Sequence, residues 1–125
     1  MENFFHSFDV CLYLDDIRTM PLHYTHRVKR AVDAIEILKT RKVIKISLDH
    51  DLGIWDRDDR HNGYMVACYI EEAAFKGILK RLEWHVHSGN PVGAQRMAAA
   101  LKNADRYWSK QEELHMYRGI GDPGE

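Results

Sequence analysis

The sequence predicts an α/β domain built on a short, mostly parallel sheet. Apolar, β-branched runs of strand length alternate with stretches whose apolar residues recur at helical spacing. Those runs stop abruptly at polar clusters instead of alternating with polar residues, the pattern of strands buried on both faces. The chain has 125 residues, enough for one hydrophobic core and not two. Residues 1–125 are therefore read as a single domain, with 1–9 and 119–125 as frayed ends.

Val10-Cys11-Leu12-Tyr13-Leu14 is the first apolar run, and it breaks at Asp15-Asp16. Pro21 punctuates the chain, and Tyr24, His26 and Val28 alternate as a weakly apolar second strand over 23–28. Across 30–40 the residues Ala31, Ile35 and Leu38 fall at helical spacing, with Ala34 and Ile37 widening the buried stripe. Val43-Ile44-Lys45-Ile46-Ser47-Leu48 is the next strand and ends at Asp49-His50-Asp51. A charged loop with glycines leads to a helix over 64–76, with Val66, Ala67, Ile70, Ala73 and Ala74 on one face and Gly77 closing it. Residues 82–87 read as a strand that breaks at Ser88-Gly89-Asn90. Pro91 suits the first turn of a helix whose stripe is Ala94, Met97, Ala98 and Leu101. Beyond Trp108 the pattern is ambiguous, with an edge strand over Leu114 to Tyr117 as one reading, and Tyr107, Trp108 and Tyr117 are read as core in preference to interface.

Lys plus Arg number 18 and Asp plus Glu 19, a formal charge of −1, which argues against a nucleic-acid binder held by its net charge. Sequence-specific DNA binding is not expected. The two cysteines, Cys11 and Cys68, form no CxxC or Cys/His zinc spacing and are read as buried, reduced thiols. No apolar run approaches a membrane span, and the N-terminus lacks a signal pattern, so a cytoplasmic protein with no membrane partner is expected.

In an open parallel sheet, ligands sit beyond the carboxyl ends of the strands. Three of those ends carry polar clusters: Asp15-Asp16 with Arg18, Asp49-His50-Asp51, and His87-Ser88 with Asn90. Four carboxylates converging on one rim repel one another unless a cation neutralises them, and Mg²⁺ or Mn²⁺ suits oxygen ligands. Arg18, His50 and His87 suit a phosphoryl oxygen, and the helix start at Ser88 to Asn90 offers backbone N–H groups to an anion. Each piece also has a plainer reading. A lone Asp ends a strand or closes a turn, Ser88 and Asn90 are ordinary helix caps, and Asp56 to Arg60 make a solvated loop. His85 and His87 share a strand face, a spacing that can bind metal but more commonly gives a partly buried, hydrogen-bonded pair, with His85 the weaker candidate.

The series Leu14-Asp15-Asp16-Ile17-Arg18, Ser47-Leu48-Asp49-His50-Asp51-Leu52-Gly53, Asn62-Gly63-Tyr64 and His87-Ser88-Gly89-Asn90-Pro91-Val92-Gly93 with Arg96-Met97 resembles the cyclic-phosphate processing receiver-like family, over about Cys11 to Leu101. That resemblance implies a receiver/flavodoxin-like three-layer sandwich and a site of Asp15, Asp16, Arg18, Asp49, His50, Asp51, His87, Ser88 and Asn90. It also implies action on cyclic phosphates at RNA ends or on nucleotides, in RNA repair or phage–host conflict. Thr19-Met20-Pro21 departs from the more proline-rich turn of the family, and the 55–60 stretch lengthens the loop beside the site. The late lysine of true receivers has no counterpart, which disfavours phosphorelay signalling.

The expected function is a metal-dependent phosphoesterase that opens a cyclic phosphate on an RNA terminus or nucleotide. Asp15, Asp16 and Asp49 are expected to hold the metal, with Asp51 as fourth ligand or outer partner. Asp49, His50 and His87 form the catalytic set, either histidine serving as acid or base. Arg18, Ser88, Asn90 and Tyr64 are assigned to substrate. Two alternatives use the same crevice: a non-catalytic sponge for a cyclic nucleotide signal, in which Tyr64 or Trp55 stacks on a base, and a receiver-type switch phosphorylated on Asp49.

Overall fold

A computed structural model of the chain describes residues 9–53 and 61–121, with side chains as far as His115. The elements are β1 (Asp9–Leu14), β2 (His26–Val28), α1 (Ala31–Thr40), β3 (Lys42–Leu48), α2 (Gly63–Phe75), β4 (Glu83–Val86) and α3 (Pro91–Gly121). The four strands form one sheet in the order β2-β1-β3-β4, and every pairing is parallel. This is the receiver-like α/β fold expected from the alternation of strands and helices.

Register decides which side chains meet the helices. Leu12 aligns with Ile46, Leu14 with Leu48, Ile46 with Trp84 and Leu48 with Val86. Aligned residues of parallel strands share a face, so these six point one way. They join Ala31, Ala34 and Leu38 of α1, Val66, Ala67 and Ile70 of α2, and Met97, Leu101, Ala104 and Trp108 of α3 in one core. The opposite face carries Tyr13, Lys45, Ser47, Glu83 and His85. Among the described residues the helices form a single layer on the apolar face. Both crossovers, β2-α1-β3 and β3-α2-β4, step the same way along the sheet, and right-handed crossovers then place their helices on the same side. Residues 15–25, which join β1 to β2, contain no helix to cover the other side.

Local chemistry sets the helix ends. The Asn62 side chain accepts from the Met65 N–H and caps α2. Gly77, at φ +74°, turns the chain out of α2 while its N–H bonds the Ala74 carbonyl. Asn90 Oδ1 accepts from the Gly93 N–H at 3.0 Å and caps α3 behind Pro91.

The tail differs from the edge-strand reading. Leu114 to Tyr117 continue α3, because helical spacing keeps Trp108 in the core (2% exposed) and lets Gln111 Nε2 donate to the Ala74 carbonyl at 2.8 Å. The Trp108 indole N–H donates to the Leu79 carbonyl at 2.7 Å, and Tyr107 is half-buried, whereas the side chain of Tyr117 lies outside the described residues. The expected frayed ends also shorten: Asp9 is paired in β1, and α3 runs to Gly121. Cys11 and Cys68 are free thiols but only half-buried, since Cys11 lies on the sheet face without helices. No helix among the described residues is long and apolar enough to cross a membrane.

Candidate metal and phosphate site

The carboxyl ends of the strands are tied together by their backbone. Asp15 N–H donates to Val28 O, Asp49 N–H to Leu14 O and His87 N–H to Leu48 O, each at 3.0 Å. The residues that follow β1, β3 and β4 are therefore fixed side by side at one rim, where the apolar runs predicted them. Carboxylate oxygens of Asp15, Asp16 and Asp49 lie within 4.8 Å of one another, a grouping that could hold a metal ion.

The three acids are not equivalent. Asp15 is 1% exposed, and its Oδ1 accepts from the Ile17 and Arg18 backbone N–H groups, both at 2.8 Å. Its Oδ2 accepts from Arg18 Nη1 at 3.2 Å and from His87 Nε2 at 2.9 Å. Four donors thus fill an ionised carboxylate's four acceptor positions. Burial pushes the Asp15 carboxyl upward, but the Arg18 and Ile17 N–H groups and His87 outweigh it and hold it below the ordinary aspartate range. Asp49 moves the other way: burial, then the charge of Asp15, raise it against the opposing pull of His87 and Arg18. Asp16 Oδ1 is buried with no hydrogen-bond partner. Like charges crowded together and a buried oxygen left unpaired fit a divalent cation, which supplies the missing countercharge and bond.

Arg18 sits over this group, its Nη1 2.7 Å from the His87 carbonyl and 3.9 Å from Asp49 Oδ1. Its side chain stays 49% exposed, so the rest of the guanidinium faces outward. Both ring nitrogens of His87 are engaged, Nε2 with Asp15 and Nδ1 with Ser47 Oγ at 2.6 Å. Burial holds the His87 pKa below its ordinary value even against the pull of Asp15, leaving a neutral ring at pH 7.

His50 and Asp51 form a second cluster with the start of α3. His50 Nδ1 is 2.7 Å from Asp51 Oδ1, and Asn90 Nδ2 donates to the same oxygen at 3.2 Å. The His50 hydrogen bond, aided by Asn90, keeps Asp51 below the ordinary range against its partial burial. Asp51 stands apart from the group of three oxygens. His50 Nε2 is buried without a partner, and the ring packs so tightly on Gly93 that a Cβ there would collide with it.

Two other glycines shape the acids. A Cβ at Gly63 would strike the Asp49 carbonyl, and one at Gly53, where φ is +63°, would lie 2.5 Å from Asp16 Oδ2.

Ser88 and Asn90 fulfil their plainer roles: Ser88 Oγ accepts from the Asn90 N–H at 3.0 Å, and Asn90 caps α3. Tyr64 stands in the first turn of α2, with the Arg96 guanidinium 4.2 Å over its ring. His85 pairs with Glu83 on the helix-free sheet face. Trp55 and the acids and arginines of 56–60 lie outside the described residues.

Tyr13 and Ser47 were not singled out from the sequence. The Tyr13 ring stacks on His87 with centroids 4.5 Å apart and planes 5° from parallel. A signal was present: each lies two residues before a key acid, and Ser47 is the one hydroxyl in an otherwise apolar strand end.

A parallel α/β sheet with an acidic group, an arginine and a histidine at its carboxyl rim defines a receiver-like domain. More narrowly, the chain belongs to the cyclic-phosphate processing receiver domain family, whose model matches residues 10–103. No curated protein and no solved structure matches it.

Proposed function

We propose that this chain is a metal-dependent phosphoesterase that opens a cyclic phosphate on an RNA terminus or a nucleotide. The observation that carries this reading is the packing of Asp15, Asp16 and Asp49 oxygens within 4.8 Å, in a family named for cyclic-phosphate processing. Mg²⁺ or Mn²⁺ held by these acids would polarise the phosphoryl oxygens and bring up a water. Asp16 offers its unpartnered oxygen, while Asp15, already receiving four hydrogen bonds, contributes chiefly charge and position.

Arg18 is anchored through Nη1 and presents its outward N–H groups to a phosphoryl oxygen. Asp51 is ionised and takes the hydrogen on His50 Nδ1, which leaves Nε2 as the lone-pair nitrogen of that ring. His50 is therefore assigned the proton transfer to or from the ribose oxygen, which requires that bound substrate uncover the buried Nε2. His87, with both nitrogens engaged, holds Asp15 and does not shuttle protons. Ser88 and Asn90 shape the start of α3, where the helix dipole favours an anion, and Tyr64 with Arg96 receives the base.

The test incubates the protein with a 2′,3′-cyclic-ended RNA, cyclic dinucleotides and cyclic ADP-ribose species, with Mg²⁺, with Mn²⁺ and with chelator. Products are read by mass spectrometry after denaturation. A cation-dependent gain of one water on one compound, abolished in Asp49→Asn, is expected. Recovery of a bound compound intact would move the protein to the binding class, and a base-labile phosphate on Asp49 would make it a receiver switch.

A further inference from the structure

We propose that Ser47 is a positioning residue for the carboxylate centre, acting through His87. Ser47 is 3% exposed on β3, where register aligns it with Tyr13 of β1 and His85 of β4. Its Oγ lies 2.6 Å from His87 Nδ1, while His87 Nε2 lies 2.9 Å from Asp15 Oδ2. Asp15 is a carboxylate that only accepts, so Nε2 carries the hydrogen. A neutral ring then has its lone pair on Nδ1, and the Ser47 hydroxyl donates into it. The Tyr13 ring lies flat against the imidazole at 4.5 Å and blocks movement out of plane.

Two hydrogen bonds and a stack leave the ring one orientation, and that orientation reaches the rest of the centre. Arg18 Nη1 bonds both Asp15 and the His87 carbonyl and stands 3.9 Å from Asp49. A loosened His87 thus loosens Asp15 and the arginine together. Ser47 itself is too buried to attack a substrate, and its hydroxyl hydrogen is directed to Nδ1. What the position requires is a donor: an aliphatic side chain leaves Nδ1 unmet in a dry setting.

The effect on turnover rests on the phosphoesterase reading; the effect on the ring does not. Threonine and valine are nearly isosteric and differ at this position in the hydroxyl, so Ser47→Thr and Ser47→Val isolate the donor, with Ser47→Ala as a smaller companion. Protein labelled with ¹⁵N-histidine is examined by NMR without metal, His87 being assigned from His87→Gln. The wild type and Ser47→Thr are expected to give one Nε2–H tautomer with a slowly exchanging N–H. In Ser47→Val and Ser47→Ala that N–H should exchange fast or broaden. Hydrolysis of the responsive cyclic phosphate should fall about 10–100-fold in both and return in Ser47→Thr. A Val or Ala variant that keeps the sharp, protected N–H overturns the proposal. So does a Thr variant as impaired as Val. Should the wild type hydrolyse no cyclic phosphate, the phosphoesterase reading fails, and the NMR comparison still decides the role of Ser47.

Discussion

Replacing Asp49 by asparagine should stabilise the metal-free protein and abolish its response to divalent cations. Two carboxylates 4.8 Å apart, the outer limit for this group, repel by about 3.5 kcal/mol at an effective dielectric of about 20. Asp49 meets two such neighbours, Asp15 and Asp16. It also has Arg18 at 3.9 Å, an attraction of about 4 kcal/mol on the same scale, which solvent weakens because the guanidinium is half exposed. The remainder is about 3 kcal/mol before solvent screens the repulsions as well, so Asp49→Asn is predicted to gain about 1–3 kcal/mol, a rise of about 3–12 °C in Tm for a domain this size. A cation present at a hundred times its Kd adds about 2.7 kcal/mol to a protein that binds it, so Mg²⁺ or Mn²⁺ should lift the wild type and leave the variant unmoved. The sign with pH follows from the raised Asp49 carboxyl. A raised folded pKa means that the folded state holds its proton more tightly, so this group's contribution is lost as pH rises through that value. The advantage of Asp49→Asn therefore grows from acid toward neutral pH. Thermal unfolding in chelator and in each cation is the assay. A variant less stable than wild type in chelator, with a wild type indifferent to both cations, would refute the electrostatic reasoning.

The lowered Asp15 carboxyl has the opposite sign: its contribution is present above the ordinary aspartate pKa and lost as pH falls through the depressed folded value, so the acid limb of urea-measured stability should flatten in Asp15→Asn. Gly63→Ala places a Cβ on the Asp49 carbonyl and should cost about 1–3 kcal/mol or more by urea unfolding, with weakened cation binding because Asp49 must shift. Trp108→Ala empties a core position beyond the residues that match the family and should cost about 3–5 kcal/mol, read by the same method; a near-neutral result would mean that α3 past residue 103 is dispensable.

The strands and the acidic rim were legible because they depend on local pattern. An apolar run that stops at Asp15 or Asp49 states both that the strand is buried and where it ends, and parallel crossovers then bring those ends together. The tail was not legible: Leu114 to Tyr117 is compatible with a strand by composition, and the helix is held by distant contacts, Trp108 on the Leu79 carbonyl and Gln111 on the Ala74 carbonyl of α2. The single layer of helices was equally hidden, since it depends on the direction of each crossover rather than on any one segment. At the site, the sequence named all three acids but could not rank them. That ranking depends on hydrogen bonds converging from Ile17, Arg18 and His87, the last of them 72 positions away. The two histidines could not be told apart either, because their roles follow from partners, Ser47 for one and Asp51 for the other.

The charge of the site implies an order of binding. Asp15, Asp16 and Asp49 with Arg18 leave two negative charges when His87 is neutral, and a cyclic phosphodiester brings a further one. Without a cation the anion must approach a like-charged crevice; even at the dielectric of water, a single charge about 6 Å from two others is opposed by about 1.4 kcal/mol, tenfold in affinity. A divalent cation held by the three acids would cancel the deficit, leaving the outward Arg18 N–H groups and the dipole at the start of α3 to act attractively. Calorimetric titration with a non-hydrolysable cyclic phosphate analogue should therefore show binding in Mg²⁺ that weakens at least tenfold in chelator, with the difference shrinking as salt screens the charges. Metal-free Asp49→Asn, with one negative charge fewer, should bind the analogue better than metal-free wild type yet gain nothing from Mg²⁺. Equal affinity of the wild type in Mg²⁺ and in chelator would place the anion away from the three acids, at the cap formed by Ser88 and Asn90, and would separate phosphate binding from the carboxylate centre.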